Sequence, residues 1–407
     1  MQMTEMQAAQ EGQSMRYRRF GRTELKMPVL TCGGMRYQHA WKDLTAAEIP
    51  KESQENVEAT VLRALSLGIN HIETARGYGS SELQLGFVLP KLAREKLIVQ
   101  TKVSPTENAN EFVKTFHTSL KRLRLDYVDL FSLHGVNNRT IVDWSLKRGG
   151  CLEAALKLKE EGLVRHVGFS THAAPEVILQ LIEEGSFEYV NLHYYFVNQR
   201  TAPCVKAAAA RDMGVFIISP NDKGGQLYAP PAKLVDLCKP LSPMAFNDLF
   251  CLAQPEVHTL SIGASRPSDF DAHVAALSDY DRAAEVVEPI VARLEAALVE
   301  AHGREWCDHW FDGLPEFQEV PGKINVREIL RVYTYAKALG LSTWAKARYN
   351  LLGRADDWFP GENAGSFDED EMRRVLAKSP FPERLVAALR DAHAMLHDAP
   401  VERLSKS

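Results

Sequence analysis

INHIE (69–73), LIVQTKV (97–103) and VDLFSLH (128–134) are three short apolar, β-branched runs separated by segments of helical periodicity. Each ends on a side chain that carries charge or a proton: Glu73, Lys102 and His134, with Tyr78 just beyond the first. Outward from these three the alternation continues. Helical spacing at 53–67 precedes INHIE, 81–92 leads to LIVQTKV, and 109–123 leads to VDLFSLH. Downstream, 151–162 precedes VRHVGFS (164–170) and 174–185 precedes EYVNLHY (188–194). Then 202–214 precedes VFIIS (215–219) and 243–254 precedes HTLSIGA (258–264), with a closing helix from Ser268. Upstream, MRYRRFGRTELKMPVLTCGG (15–34) reads as a hairpin around Gly21-Arg22, then a first strand near Val29–Cys32. Eight strands alternating with helices predict an α/β fold, a (β/α)8 TIM barrel with an N-terminal hairpin. A doubly wound open sheet would need a G-x-G-x-x-G turn after its first strand. Here Gly33-Gly34-Met35-Arg36 lacks the third glycine, and that alternative fails.

The 407 residues, with a net charge of −5, exceed one barrel of roughly 250 and leave room for a second unit. Beyond about residue 280 the period changes. Val286, Val287, Ile290, Val291, Leu294 and Leu298 follow helical spacing, as do Ile329, Leu330, Val332, Tyr333 and Ala336. Ser366 with Glu369 three residues on reads as a capping box before Met372, Val375 and Leu376. The division expected is a mobile tail at 1–14, the barrel at 15–280, and a C-terminal all-helical appendage at 281–407. Mild acidity argues against a nucleic-acid partner, which calls for a concentrated basic face. The sequence has no apolar run of the roughly 20 residues a membrane span requires. Its polar N-terminus lacks the apolar stretch of a signal peptide, so a cytoplasmic location is expected. Six scattered cysteines without a C-x-x-C pair read as reduced thiols.

In a barrel the C-terminal strand ends converge on one mouth, where the chemistry is done. A phenol, an ammonium, an imidazole and a carboxylate meeting there can pass a proton to a carbonyl oxygen. A free tyrosine has a pKa near 10, so Lys102 is expected to lower that of Tyr78 by stabilising the phenolate. Glu73 is expected to hold Lys102 in place, and His134 to orient the carbonyl. Taken singly, a loop tyrosine is usually packing and a strand-end lysine is usually solvated. The four on adjacent strands make the catalytic reading the stronger one.

Through INHIETARGYGSSELQLG, LIVQTKV, LDYVDLFSLH and GLVRHVGFS, the chain resembles the aldo-keto reductases from about residue 15 to 280. That resemblance places Asp, Tyr, Lys and His at these strand ends. Tyr78, Lys102 and His134 match, and Glu73 replaces the aspartate. It implies NADP(H), with NAD(H) as the alternative, and a small-molecule aldehyde or ketone as substrate. The family's grip on the nicotinamide amide maps onto Ser170, onto Thr171 where Asn is usual, and onto Asn191 where Gln is usual. Ser219 or Ile218 stands where an aromatic often stacks. Ser265 and Arg266 match the residues that read the adenosine phosphate, while Asp269 and His273 depart from the usual basic residue and Asn. The C-terminal half is similar to that of bacterial members with a ferredoxin-like helical extension, through PGKINVREILRVY and KARYNLLGRADDW. Only Cys307 remains of the paired Cys motifs, so no metal is expected, since a four-iron cluster needs about four thiolates. Three functions follow: an NAD(P)H-dependent carbonyl reductase, a nicotinamide-binding barrel with little turnover acting as a redox sensor or partner subunit, or an enzyme that reduces a substrate double bond with the same hydride donor.

Overall fold

The computed structural model describes residues 15–398, so the tail expected at 1–14 lies outside the described residues. Two short strands, β1 (Tyr17–Arg19) and β2 (Lys26–Pro28), form the antiparallel hairpin. Eight more follow: β3 (Leu30–Gly33), β4 (His71–Glu73), β5 (Ile98–Val103) and β6 (Val128–Leu133), then β7 (Val164–Ser170), β8 (Tyr189–Leu192), β9 (Gly214–Ile217) and β10 (Thr259–Ile262). They pair in parallel and close into a barrel in the order β10-β3-β4-β5-β6-β7-β8-β9. Nearly every barrel-strand residue is buried, as expected where helices cover the outside of a parallel sheet.

The chain divides into two compact units, one of residues up to 220 with 247–284 and one of 221–246 with 285 onward. The segment 221–246, placed within the barrel on sequence grounds, thus clusters with the helical unit. No helix among the described residues is long and apolar enough to cross a membrane.

Several boundaries moved for local reasons. The helix expected over 81–92 stops at Leu85 and resumes as a single 3-10 turn over Leu89–Lys91. Pro90 has no N–H for a continuing ladder and restricts the residue before it. The stretch 135–150, to which the sequence assigned no element, contains a helix over Arg139–Leu146, where Asn138 accepts a cap bond from the Ile141 N–H at 3.0 Å. A second unpredicted helix covers Ala232–Cys238. The closing helix begins one step earlier, as a 3-10 turn over Pro267–Phe270 that runs into Asp271–Ala276.

At the N-terminal end of the barrel the hairpin forms a plug. Phe20 is fully buried with Met27, Ile98, Leu130, Tyr189 and Phe216. Gly214 leaves the space for its ring, since a Cβ there would lie 2.6 Å from Phe20.

The second unit is helical, with its longer helices over Val326–Leu339, Pro382–Leu396 and, from residue 285 on, Ala283–His302. Asn325 caps the helix over Val326–Leu339 through the Glu328 N–H at 3.1 Å, and Gly340 ends it at φ +76°. The capping box expected at Ser366 is not formed. Asp368 accepts from the Glu371 N–H at 2.8 Å and starts a helix over Glu369–Val375, because a carboxylate at that spacing satisfies the same orphan donor. Trp306 and Phe359, from WCDHWFDGLPEF (306–317) and DDWFPGENAG (356–365), are buried, and the Arg348 guanidinium stacks 3.8 Å from the Phe359 ring centre. Cys307 is part-exposed, and among the described residues no three His, Cys, Asp or Glu side chains converge as metal ligands would.

Candidate active site

The ends of β4, β5 and β6 bring Glu73, Lys102 and His134 to the mouth of the barrel. Glu73 pairs in register with Gln100 of β5, and Lys102 pairs with Ser132, two residues before His134. Tyr78 returns to them through the turn Arg76-Gly77-Tyr78-Gly79, which the Arg76 N–H ties to the Lys102 carbonyl at 2.9 Å. Gly79 sits at φ +55°, and a Cβ there would meet the Ala40 carbonyl at 2.0 Å, so the turn admits only glycine.

Lys102 is 1% exposed and its three donors are all used. It donates to Glu73 Oε1 in a close ion pair, to the Thr74 carbonyl at 2.9 Å and to Tyr78 Oη at 3.3 Å. Tyr78 Oη also lies 3.4 Å from Glu73 Oε1, and Ser261 Oγ donates to Glu73 Oε2 at 3.3 Å. The extra methylene of Glu73 is accommodated by Gly33 on the neighbouring strand. A Cβ at Gly33 would stand 3.3 Å from Glu73 Oε2 and 2.6 Å from Ser261 Oγ. Ser261 and Gly33, which carried no signal in the motif, therefore belong to the site.

The electrostatics differ from the sequence-based expectation in one respect. Burial pushes the Tyr78 phenol well above its usual value rather than Lys102 drawing it down, and burial likewise lowers the Lys102 ammonium. The cause is the Glu73–Lys102 pair: opposite charges at comparable distances from Oη nearly cancel there, and desolvation remains. A neutral phenol is the form that can donate a proton. Its ring stands edge-on to His134 at 5.7 Å and to Trp41 at 6.3 Å between centres. His134 is part-exposed at the mouth, and its backbone N–H is held by the Val103 carbonyl at 2.8 Å.

The proposed amide grip divides. Ser170, at the end of β7, accepts from the Gly135 N–H at 3.2 Å and keeps its own hydroxyl hydrogen. Thr171 has no donor left for the role: its hydroxyl donates to the Val136 carbonyl at 2.7 Å and accepts from the Ala173 N–H at 2.9 Å. Its sequence position suggested a ligand contact, but a hydroxyl this close to two backbone groups is used to shape the loop. Asn191, at the end of β8, is buried; its Oδ1 takes a bond from Gln100 at 3.4 Å, while its Nδ2 has no partner. An orphaned buried donor suits a carboxamide carbonyl, so Ser170 and Asn191 fit a nicotinamide where Thr171 does not. Ser219 follows β9 at φ +52°, a left-handed conformation uncommon for serine, and is part-exposed at the mouth.

Ser265 and Arg266 follow β10 and are organised by Asp269. Its carboxylate takes the Ser265 N–H and hydroxyl, both at 2.8 Å, and Arg266 Nε at 3.0 Å. Although burial alone would raise it, these bonds hold the Asp269 carboxyl below its usual range. Arg266 remains exposed, but the Ser265 hydroxyl hydrogen is already committed. His273 is buried against Asp248 in a close pair.

The family model described as Aldo/keto reductase family matches residues 29–227. L-galactose dehydrogenase of Arabidopsis thaliana is 26% identical over 288 residues, covering 62% of this chain and 88% of the relative. An NADH-specific methylglyoxal reductase of Escherichia coli is 27% identical over 196 residues, 42% of this chain and 55% of the relative. Among solved structures, the holo form of an aldo-keto reductase from Bacillus halodurans matches with a TM-score of 0.55 and 22% identity. It covers 68% of this chain and 97% of that one, a likeness of fold.

Proposed function

From a barrel that belongs to the aldo/keto reductase family, we propose that this protein reduces an aldehyde or ketone with a reduced nicotinamide cofactor, Tyr78 giving the proton. The observation that carries this is the contact of Tyr78 Oη with Lys102 Nζ at 3.3 Å inside a buried ion pair. When bound, the nicotinamide would supply hydride to the carbonyl carbon. Tyr78, held neutral by burial, donates to the developing alkoxide oxygen. Lys102 then faces a phenolate, and its charge stabilises that form more than the neutral phenol. Glu73 and the Thr74 carbonyl keep the ammonium aimed. His134, edge-on to the Tyr78 ring, orients the substrate oxygen.

Ser170 and Asn191 are assigned to the carboxamide, and Ser219 to the wall beside the ring. Arg266 and Ser265 are assigned to the adenosine phosphates. Because Asp269 already engages both, NADP(H) is preferred over NAD(H) only modestly.

The second reading, a nicotinamide-binding barrel with little turnover, is favoured by the loss of Thr171 from the grip. Cofactor oxidation across a panel of small aldehydes and ketones separates the two. Turnover supports the reductase; tight cofactor binding with no turnover on any carbonyl supports the binder. Glu73→Asp sharpens the result. Shortening the carboxylate by about 1.5 Å withdraws it from Lys102, so activity should fall about tenfold as the buried pair loses its geometry. A gain in activity would show that Glu73 is a defect rather than an adaptation to Gly33.

A further inference from the structure

One layer beneath Glu73 and Lys102, the barrel interior is polar where branched aliphatic side chains usually dominate. Side chains two apart on a strand share a face, so His71 lies below Glu73 and Gln100 below Lys102. Thr259 and Thr31 hydroxyls meet at 2.9 Å, and Thr31 reaches His71 Nδ1 at 2.7 Å. Gln100 Nε2 donates to Ser132 Oγ at 3.0 Å and to Asn191 Oδ1 at 3.4 Å, and Ser132 meets Tyr189 Oη at 2.9 Å. The result is a polar belt through six of the eight strands, ending at Asn191 Nδ2.

The belt has a direction. Burial keeps the His71 imidazole neutral, with its value drawn down to about 3. Gln100 lies beside the imidazole and favours its protonated form, as an oxygen facing a ring N–H does, which suits the tautomer with Nδ1 toward the Thr31 hydroxyl and the hydrogen on Nε2. Gln100 Nε2 donates to β6 and β8, which leaves its oxygen on the side of His71, where Gln100 Oε1 and His71 Nε2 are both without a hydrogen-bond partner. An NH2 facing Asn191 requires an acceptor there, so Asn191 holds its oxygen toward Gln100 and its own NH2 away.

We propose that Gln100 is a positioning residue: it fixes the Asn191 amide donor-outward, so that the protein reads the carbonyl rather than the NH2 of the cofactor's carboxamide. The inference rests on the nicotinamide reading above. It also accounts for a shorter Asn at a position where the resemblance leads one to expect Gln. Its orientation is set from beneath by a neighbour of matched length.

The test is binding of three reduced dinucleotides, followed by fluorescence: NADH, its 3-acetylpyridine analogue, which keeps the carbonyl and lacks the NH2, and its thionicotinamide analogue, whose sulfur is a poor acceptor. Wild-type protein should bind the first two within about threefold and the thio analogue about tenfold more weakly, the scale of one neutral hydrogen bond. Gln100→Leu should weaken NADH by about fivefold and shrink the preference over the thio analogue to about twofold. Asn191→Asp, nearly isosteric, replaces the donor with an acceptor and should lose NADH by more than tenfold; it decides the matter if Gln100→Leu fails to fold. Loss of the acetylpyridine analogue in wild type, or undiminished NADH binding by Asn191→Asp, overturns the donor-outward orientation. An unchanged ranking in Gln100→Leu overturns the positioning role alone. If wild-type protein binds none of the three, the nicotinamide reading itself fails and the inference falls with it.

Discussion

The two ends of the barrel use the same kinds of side chain for opposite purposes. At the floor, charge is matched by geometry. Arg18 donates to the Leu252 carbonyl at 2.7 Å, to the Gln254 carbonyl at 2.9 Å, to the Val257 carbonyl, and to Tyr280 Oη at 2.6 Å. Buried Asp129 is held by Arg94 at 2.7 Å, by Arg165 at 2.9 Å and by the Val99 N–H at 2.9 Å. The two guanidiniums also stack on Tyr127, at 4.1 and 4.4 Å from the ring centre. At the mouth, satisfaction is incomplete. Tyr78 is part-exposed, Ser219 is in a left-handed conformation, and Asn191 Nδ2 has no partner. Apart from Arg94 Nε, the floor side chains named here are engaged within the fold, whereas at the mouth Asn191 keeps a buried donor without a partner.

That contrast is broken most directly by exchanging its readouts. Tyr78→Phe keeps the ring and removes the hydroxyl. Carbonyl reduction should fall by roughly 100- to 10,000-fold, the usual contribution of general acid catalysis, while cofactor affinity and thermal midpoint hold. Unchanged turnover on a substrate the wild type reduces would remove Tyr78 from the chemistry. Asp129→Ala is the converse. Removing the carboxylate leaves the buried Val99 N–H without its acceptor while the part-exposed Arg94 and Arg165 turn to solvent, and unfolding free energy should drop by about 1–3 kcal/mol. Activity per folded molecule should stay near wild type. A variant that unfolds normally in denaturant but has lost turnover would mean the floor reaches the mouth.

The floor also predicts an acid sensitivity. His258 accepts from the Val215 N–H at 3.0 Å through Nδ1, and burial, helped by the charge of Arg18, draws it to about 4. The unfolded chain takes up this proton near the ordinary 6.5 and the native state does not until about 4. The unfolded state therefore binds more protons across that window, and stability falls as pH drops through it, by up to about 1.4 kcal/mol per pH unit. His258→Gln keeps an acceptor without a titration. Its denaturation midpoint should change less than that of wild type between neutral and mildly acid pH. An identical pH slope would assign the effect to other groups.

How much of this was visible in the sequence depended on the range of the forces involved. The strand ends carrying Glu73, Lys102 and His134 were legible because a strand–helix period and three short motifs fix them locally. Ser265 and Asp269 were legible as neighbours, though not the bond between them. Thr171 misled, since a hydroxyl that matches a ligand position can equally satisfy the loop beneath it, and nothing local distinguishes the two. Gly33 making room for Glu73, and Gln100 reaching across the barrel to Asn191, are contacts between strands far apart in sequence. A single chain offers no signal for either. The Tyr78 phenol was misjudged for a related reason: the sequence showed a neighbouring cation but not that Glu73 neutralises it within a desolvated pair.

The smallest expected effect lies at the edge of the mouth, where Asp269 neutralises the groups best suited to a phosphate. Asp269→Asn preserves an acceptor for the Ser265 N–H and removes the negative charge, so the loop should keep its shape while its field changes sign. Removing one like charge near a 2′-phosphate is worth about 1 kcal/mol in a partly solvated site, or roughly fivefold. Because the carboxylate is only part-buried, solvent and salt reduce that figure, and the gain should shrink as ionic strength rises. NADPH should bind about fivefold more tightly at low salt and NADH almost unchanged, measured by fluorescence titration of both. A gain for NADH of the same size would point to a change in loop shape. No gain for either would place the 2′ group out of range of Asp269, and the mouth would then read the adenosine end through other residues than Ser265 and Arg266.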